Sequence, residues 1–133
     1  MAPDTLSLAG KVAIVTGSGR EDGIGAGIAT AFARNGAGVV LNFVSDSTVT
    51  RAEAVADKLR EQYGVTVATV QADITSPEGA TRLAEETLKA FETKHIDILV
   101  NNAGCNIPGS TLETPLEDID KQFSVNLFGA IRE

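Results

Sequence analysis

The sequence predicts an α/β domain built on a doubly wound, all-parallel sheet of strand order 3-2-1-4. Three observations predict it. Short β-branched apolar runs alternate with longer segments of helical spacing. The connections between them are short, as in βαβ units whose right-handed crossovers place helices on both faces. A glycine-rich stretch, TGSGREDGIG at 16–25, falls where the first strand would turn into the first helix.

Each element follows in order. KVAIVTG at 11–17 reads as a buried strand. Residues 23–35 set Ile24, Ile28 and Phe32 on one helical face, with Ala29 and Ala33 beside them, until Asn35-Gly36 ends the pattern. GVVLNFV at 38–44 is the second strand. Asp46 or Ser47 can cap a second helix with Ala52, Val55, Ala56, Leu59 and Tyr63 on its apolar face, closed by Gly64. VTVATVQAD at 65–73 is the third strand, and Ser76-Pro77 opens a helix that buries Ala80, Leu83, Ala84, Leu88 and Phe91. IDILVNNAG at 96–104 is a fourth strand running into a polar turn, and 105–113 reads as an irregular loop. TPLE at 114–117 has the form of a capping box and starts a helix with Leu116, Ile119, Phe123, Leu127 and Ala130 inward.

Composition narrows the function. The chain has 133 residues, a net charge of −7 and 43% hydrophobic residues. The length suits one domain. The acidic balance opposes nucleic-acid binding, which needs a basic face. Cys105 is the single cysteine and His95 the single histidine, so neither a disulfide nor a ligand-spaced metal cluster is expected. Residues 1–11 show no basic start followed by an apolar stretch, and no apolar run reaches membrane-spanning length. A cytoplasmic protein that neither enters a membrane nor binds nucleic acid is the expectation.

In a sheet of this kind the first strand-to-helix turn suits a phosphate. Helix-start N–H groups and the helix dipole favour an anion there, and glycines let it approach. Gly17 follows the strand, while Gly23 and Gly25 open the helix. TGSGREDGIG, NNAG at 101–104, QADIT at 71–75 and FSVNLFGA at 123–130 together resemble the short-chain dehydrogenase/reductase family, in the right order along the chain. The resemblance implies a Rossmann-type fold, a nicotinamide dinucleotide cofactor and hydride transfer between it and a small-molecule carbonyl or alcohol. It is strongest to the subgroup that reduces 3-oxoacyl chains or cyclic and polyketide ketones.

The resemblance also implies roles for single residues. Gly17, Ser18, Gly23, Ile24 and Gly25 would contact the diphosphate and nicotinamide side. Asp73 would accept from the adenine amino group with Ile74 packed near it, although an Asp ending a strand also suits an Asx turn. Asn101, Asn102, Ala103 and Gly104 would face the cofactor ribose and tie neighbouring strands. Asn126 would hold a water in the catalytic proton relay, or else serve as a structural amide bonded to main chain. Cys105 reads as a small buried hydrophobe, and His95 as a surface residue.

NAD enzymes hold an acid at the end of the second strand to bind the ribose 2′-hydroxyl. Here the family position falls on Phe43, with Asn42, Ser45 and Ser47 offering neutral groups to a phosphate. Arg20 can pair with a 2′-phosphate, or with Glu21 or Asp22 beside it. NADP is favoured, with NAD kept as the alternative through Asp46.

Two departures stand out. Five residues separate Gly17 from Gly23-Ile24-Gly25 where the family usually has three, and the surplus Glu21-Asp22 is expected to bulge toward solvent. The family's catalytic Ser and Tyr-x-x-x-Lys would fall beyond residue 133, and the sole tyrosine, Tyr63, has Val67 four residues on. Residues 1–133 therefore read as a C-terminally truncated cofactor domain, inactive by itself. A non-catalytic nucleotide-binding module and an inactive relic remain alternatives. An uncovered fourth strand and last helix would favour a homo-oligomer.

Overall fold

The computed structural model of the chain describes residues 6–132. The reading of residues 1–5 as free of a leader lies outside them. Four strands, β1 (Val12–Val15), β2 (Gly38–Phe43), β3 (Val67–Gln71) and β4 (Ile98–Val100), form one parallel sheet in the order β3-β2-β1-β4. The order is the one the sequence predicts. The strands are shorter than the apolar runs because pairing stops where the chain turns into the loops above the sheet. β1 is buried throughout, as expected of a central parallel strand covered on both faces.

Five helical segments accompany the sheet: α1 (Ile24–Arg34), α2 (Val49–Tyr63), α3 (Pro77–Ala90), α4 (Leu116–Phe123) and a last turn, α5 (Ala130–Arg132). A wider π turn, Ser124–Gly129, joins the last two. Side chains alternate along β2, so Val39 and Leu41 pack with α1 and α2 while Val40 packs on the opposite face with Leu83 of α3.

The burial of α1 differs from the sequence expectation. Gly25, Ala26, Ala29 and Ala33 form its buried stripe. Ile24 is exposed, while Ile28 and Phe32 are partly buried against the cluster. Small side chains let the helix lie close to β1 and β2, so the large ones are pushed to its margins. In α2 the predicted Ala52, Val55, Ala56 and Leu59 are all buried, and Gly64 closes the helix in the left-handed conformation at φ +66°. In α3 only Leu83 and Thr87 are buried. Thr87 satisfies its hydroxyl on the Leu83 carbonyl at 2.7 Å.

Two predicted caps are replaced. Ser45 caps a 3-10 turn, Asp46–Thr48, by accepting from Ser47 N, and α2 then starts without a side-chain cap. The Thr114 hydroxyl donates to Ser110 O at 2.6 Å, so no capping box forms and Pro115 leads into α4. Ser76 caps α3 as expected by accepting from Gly79 N. The inward face predicted for the last helix is largely open in this chain: Leu116, Phe123 and Leu127 are exposed, as is Phe128 beside them, while Ile119 and Ala130 are partly buried.

Candidate functional site

The loops at the C-terminal ends of the strands surround a cavity of about 940 Å³, within the ~300–1,000 Å³ range of small-molecule sites. Gly17, Arg20, Gly23 and Ile24 line it from the glycine turn. Phe43 and Ser45 line it from the end of β2, Asp73 and Ile74 from the end of β3, and Asn102, Ala103 and Gly104 from the end of β4. Ten of the predicted cofactor residues thus share one cavity wall. Ser18, Gly25 and Asn126 do not.

Two buried polar residues position this wall. Thr16 is fully buried, and its hydroxyl accepts from Asn102 N at 3.1 Å and Ala103 N at 3.0 Å while donating to Val100 O at 3.3 Å. The Asn102 amide donates in return to Thr16 O at 2.8 Å and Gly17 O at 3.2 Å. The Asn-Asn-Ala-Gly turn is thereby stitched to the glycine turn. Asn42 does the same from the other side: Gly17 N donates to its Oδ1 at 3.4 Å, and its Nδ2 donates to Val70 O at 3.2 Å and Ala72 O at 3.0 Å. The expectation that Asn42 offers its amide to a phosphate is therefore corrected, because that side chain is buried and fully engaged. The sequence signal for both residues was available: a polar side chain inside an apolar strand needs a partner.

Ser18 is likewise corrected. It is fully buried, its hydroxyl donates to Val15 O at 2.6 Å, and its N–H donates to Asn42 O at 2.9 Å. It shapes the turn from behind. Gly25 is buried too, and a Cβ there would lie 2.6 Å from Asn102 Nδ2 and 2.8 Å from Ser18 Cα. Gly17 has φ +61°, and a Cβ would lie 2.8 Å from Ala103 Cα. The backbone therefore passes where only glycine fits, and Gly17, Gly19 and Gly23 line the cavity there without side chains.

Asn126 sits in the π turn, on an exposed residue rather than on a core-facing stripe. Its Oδ1 accepts from Cys105 N and its Nδ2 donates to Cys105 O, both at 2.8 Å. These two bonds fix the loop after β4. Cys105 is half-buried and lines the cavity, so it is no core hydrophobe.

Asp73 forms the Asx turn, its Oδ1 accepting from Thr75 N at 2.9 Å and Thr75 Oγ1 at 2.7 Å. Ser45 and Ser47 hydrogen-bond to each other at 2.7 Å, and Asp46 accepts from Gln71 at 2.6 Å.

Glu21 and Asp22 are exposed and Gly23-Ile24-Gly25 opens α1, but of the surplus pair only Glu21 stands clear of the cavity, and Asp22 borders it. Arg20 forks onto Asp22, with both distances 3.2 Å. Arg51, which the sequence reading did not single out, reaches Glu21 at 2.8 Å and Asp22 at 3.0 Å. The hydrogen bond from Arg51 holds the Glu21 carboxyl below its usual range, and the Arg20 fork does the same for Asp22.

This sheet order, with a glycine-floored cradle above its first strand, defines a Rossmann-type α/β domain. The family model for short chain dehydrogenases matches residues 11–132, and the chain belongs to that family. It is 42% identical over 120 residues to the hydroxynaphthalene reductase-like protein Arp2 of Metarhizium majus, covering 90% of this chain and 42% of that protein. It is 36% identical to versicolorin reductase stcU of Emericella nidulans, covering 95% of this chain and 45% of that one. Among solved structures, L-sorbose reductase of Gluconobacter frateurii, complexed with NADPH and L-sorbose, superposes with a TM-score of 0.84 at 35% identity, over 96% of this chain and 46% of that one. The chain spans less than half the length of these relatives. No helix among the described residues is long and apolar enough to cross a membrane.

Proposed function

We propose that residues 1–133 form the NADP(H)-binding domain of an oxidoreductase that moves hydride between the cofactor and a small-molecule ketone or alcohol. The observation that carries this reading is the single cavity joining the glycine turn at Gly17 to a strand β2 that ends in Phe43 rather than in an acid. The start of α1, at Ile24 and Gly25, would receive the diphosphate, with Gly17 and Gly23 leaving it room. Asp73 keeps Oδ2 free of its Asx turn for the adenine amino group, and Ile74 backs it. Asn102, Ala103 and Gly104 would face the nicotinamide ribose. The bound nicotinamide would supply the hydride. Arg20, with Ser45 nearby, would meet the 2′-phosphate, and the NADPH-complexed sorbose reductase supports that preference over NAD. The two fungal reductases support a cyclic, polyketide-derived ketone as substrate. A single free cysteine suits a cytoplasmic setting, and the exposed α4 face suits a homo-oligomer.

One observation favours a second reading, a nucleotide-binding module without chemistry of its own. Reduction needs a phenol near the carbonyl oxygen with an ammonium close by. Tyr63, the only tyrosine, sits in the last turn of α2, at the opposite end of that 15-residue helix from the cavity, roughly 20 Å away along its axis. The test is a calorimetric titration of the purified chain with NADPH and with NADH, followed by a ketone-reduction assay. Tighter NADPH binding with no turnover is the expected result. Equal or tighter NADH binding overturns the NADP assignment, and cofactor oxidation above a protein-free blank overturns the expected inactivity of this chain.

A further inference from the structure

The surplus acids at the glycine turn do more than bulge. Two guanidinium groups from distant parts of the chain converge on one carboxylate: Arg20 reaches both oxygens of Asp22 at 3.2 Å, and Arg51, from the first turn of α2, reaches Oδ1 of the same carboxylate at 3.0 Å. Like charges held this close repel unless an anion lies between them. Asp22 is that anion. Its side chain is 57% exposed on a surface loop, so it can swing to solvent without unmaking any packing. Arg51 keeps a second anchor, Glu21 at 2.8 Å, which holds its guanidinium in place when Asp22 leaves.

The position is informative. Asp22 borders the main cavity, together with Ser45 and Thr48 of the turn that follows β2, and also the groove between α1 and α2 that Arg51 lines. The end of β2 is where a Rossmann-type sheet discriminates the two nicotinamide cofactors. A phosphate monoester carries about −1.5 to −2 charges and three acceptor oxygens, a better match for two guanidinium forks than one carboxylate is.

Resting on the NADP reading above, we infer that Arg51 is a cofactor-specificity residue. With Arg20 it forms a two-guanidinium clamp for the 2′-phosphate, and Asp22 occupies the clamp until the phosphate displaces it. The loop acid is then an internal competitor, and removing it tightens binding of the phosphorylated cofactor alone.

The test is calorimetry of the full chain and its variants with NADPH and NADH, with thermal unfolding run in parallel. Arg51→Gln should weaken NADPH about tenfold and leave NADH within about twofold. Arg51→Lys, which keeps the charge and loses the fork, should fall between. Asp22→Asn should tighten NADPH several-fold without changing NADH. If Arg51→Gln weakens both cofactors alike, or neither, Arg51 is only a loop strut and the clamp is overturned while dinucleotide binding stands. An Asp22→Asn variant that weakens NADPH overturns it too. If the wild-type chain binds NADH and not NADPH, the clamp falls and the cavity keeps its dinucleotide reading. If it binds neither, the proposed cofactor reading falls, and the clamp with it.

Discussion

The two faces of the sheet are built from similar sequence patterns and end in different states. On one face, α1 and α2 press alanines against Val15, Val39 and Leu41, and the interior is closed. On the other, α3 buries Leu83 and Thr87, while α4 and the π turn leave Phe123, Leu127 and Phe128 exposed. β4, the edge strand on that flank, leaves Leu99 exposed as well. An apolar stripe at helical spacing says which side a helix would hide. It does not say whether anything is there to hide it. Burial is a property of the neighbour as much as of the helix.

The largest test of this contrast is a pair of truncations. Leu59→Ala on the closed face should cost about 2–5 kcal/mol, and Phe123→Ala on the open one no more than about 0.5 kcal/mol, both read by urea unfolding. Comparable costs would mean that the α4 face is covered in solution. Next comes Asn42→Leu, which strands Gly17 N, Val70 O and Ala72 O in a buried place. A loss on the order of 3 kcal/mol is expected, with weaker dinucleotide binding beyond what unfolding explains. Smaller again is association. Phe123→Ser should reduce any concentration-dependent light scattering, whereas a wild-type chain that is monomeric at every concentration would show the exposed stripe to be inert.

The smallest effect is a pH dependence at the β1–β4 seam. Asp97 accepts from Val12 N at 2.9 Å and from Lys11 at 3.0 Å. The Val12 N–H, then the Lys11 ammonium, hold its carboxyl below the usual range. A depressed carboxylate stabilises the fold above its ordinary pKa of about 3.9 and loses that contribution as pH falls through the lower folded value. Stability should therefore decline below about pH 4. Asp97→Asn should flatten the decline, and an unchanged acid profile in that variant would remove Asp97 from the account.

Much of this was legible in the sequence because it rests on alternation and turn chemistry. The strand order follows from short crossovers of fixed hand. Gly64 and Ser76-Pro77 ended and began their helices as such residues do. The reading failed where two interpretations of one residue differ only in what stands beside it. Asn42 looks like a ligand group at a strand end, and Val70 and Ala72, decades of residues away, make it a strut. Ile24, Ile28 and Phe32 look like a core face, but the close approach of α1 to the sheet selects the alanines instead. Arg51 carried no local signal at all, since its partners Glu21 and Asp22 lie about thirty positions earlier. The cavity wall was found through motifs whose members are main-chain geometry first, and for that reason its glycines were read more reliably than its side chains.

The π turn at 124–129 has a consequence of counting. A π turn holds one residue more than an α turn would use, and one residue is about 100° of rotation around a helix. The hold of Asn126 on Cys105 therefore depends on how many residues stand between Phe123 and Ala130 as well as on which they are. Deleting Val125 would let the helix run on in α register, keep every named side chain, and turn Asn126 away from the loop it secures. In a comparison of relatives, a single gap at this place is a change of site even where no residue in the site has been substituted.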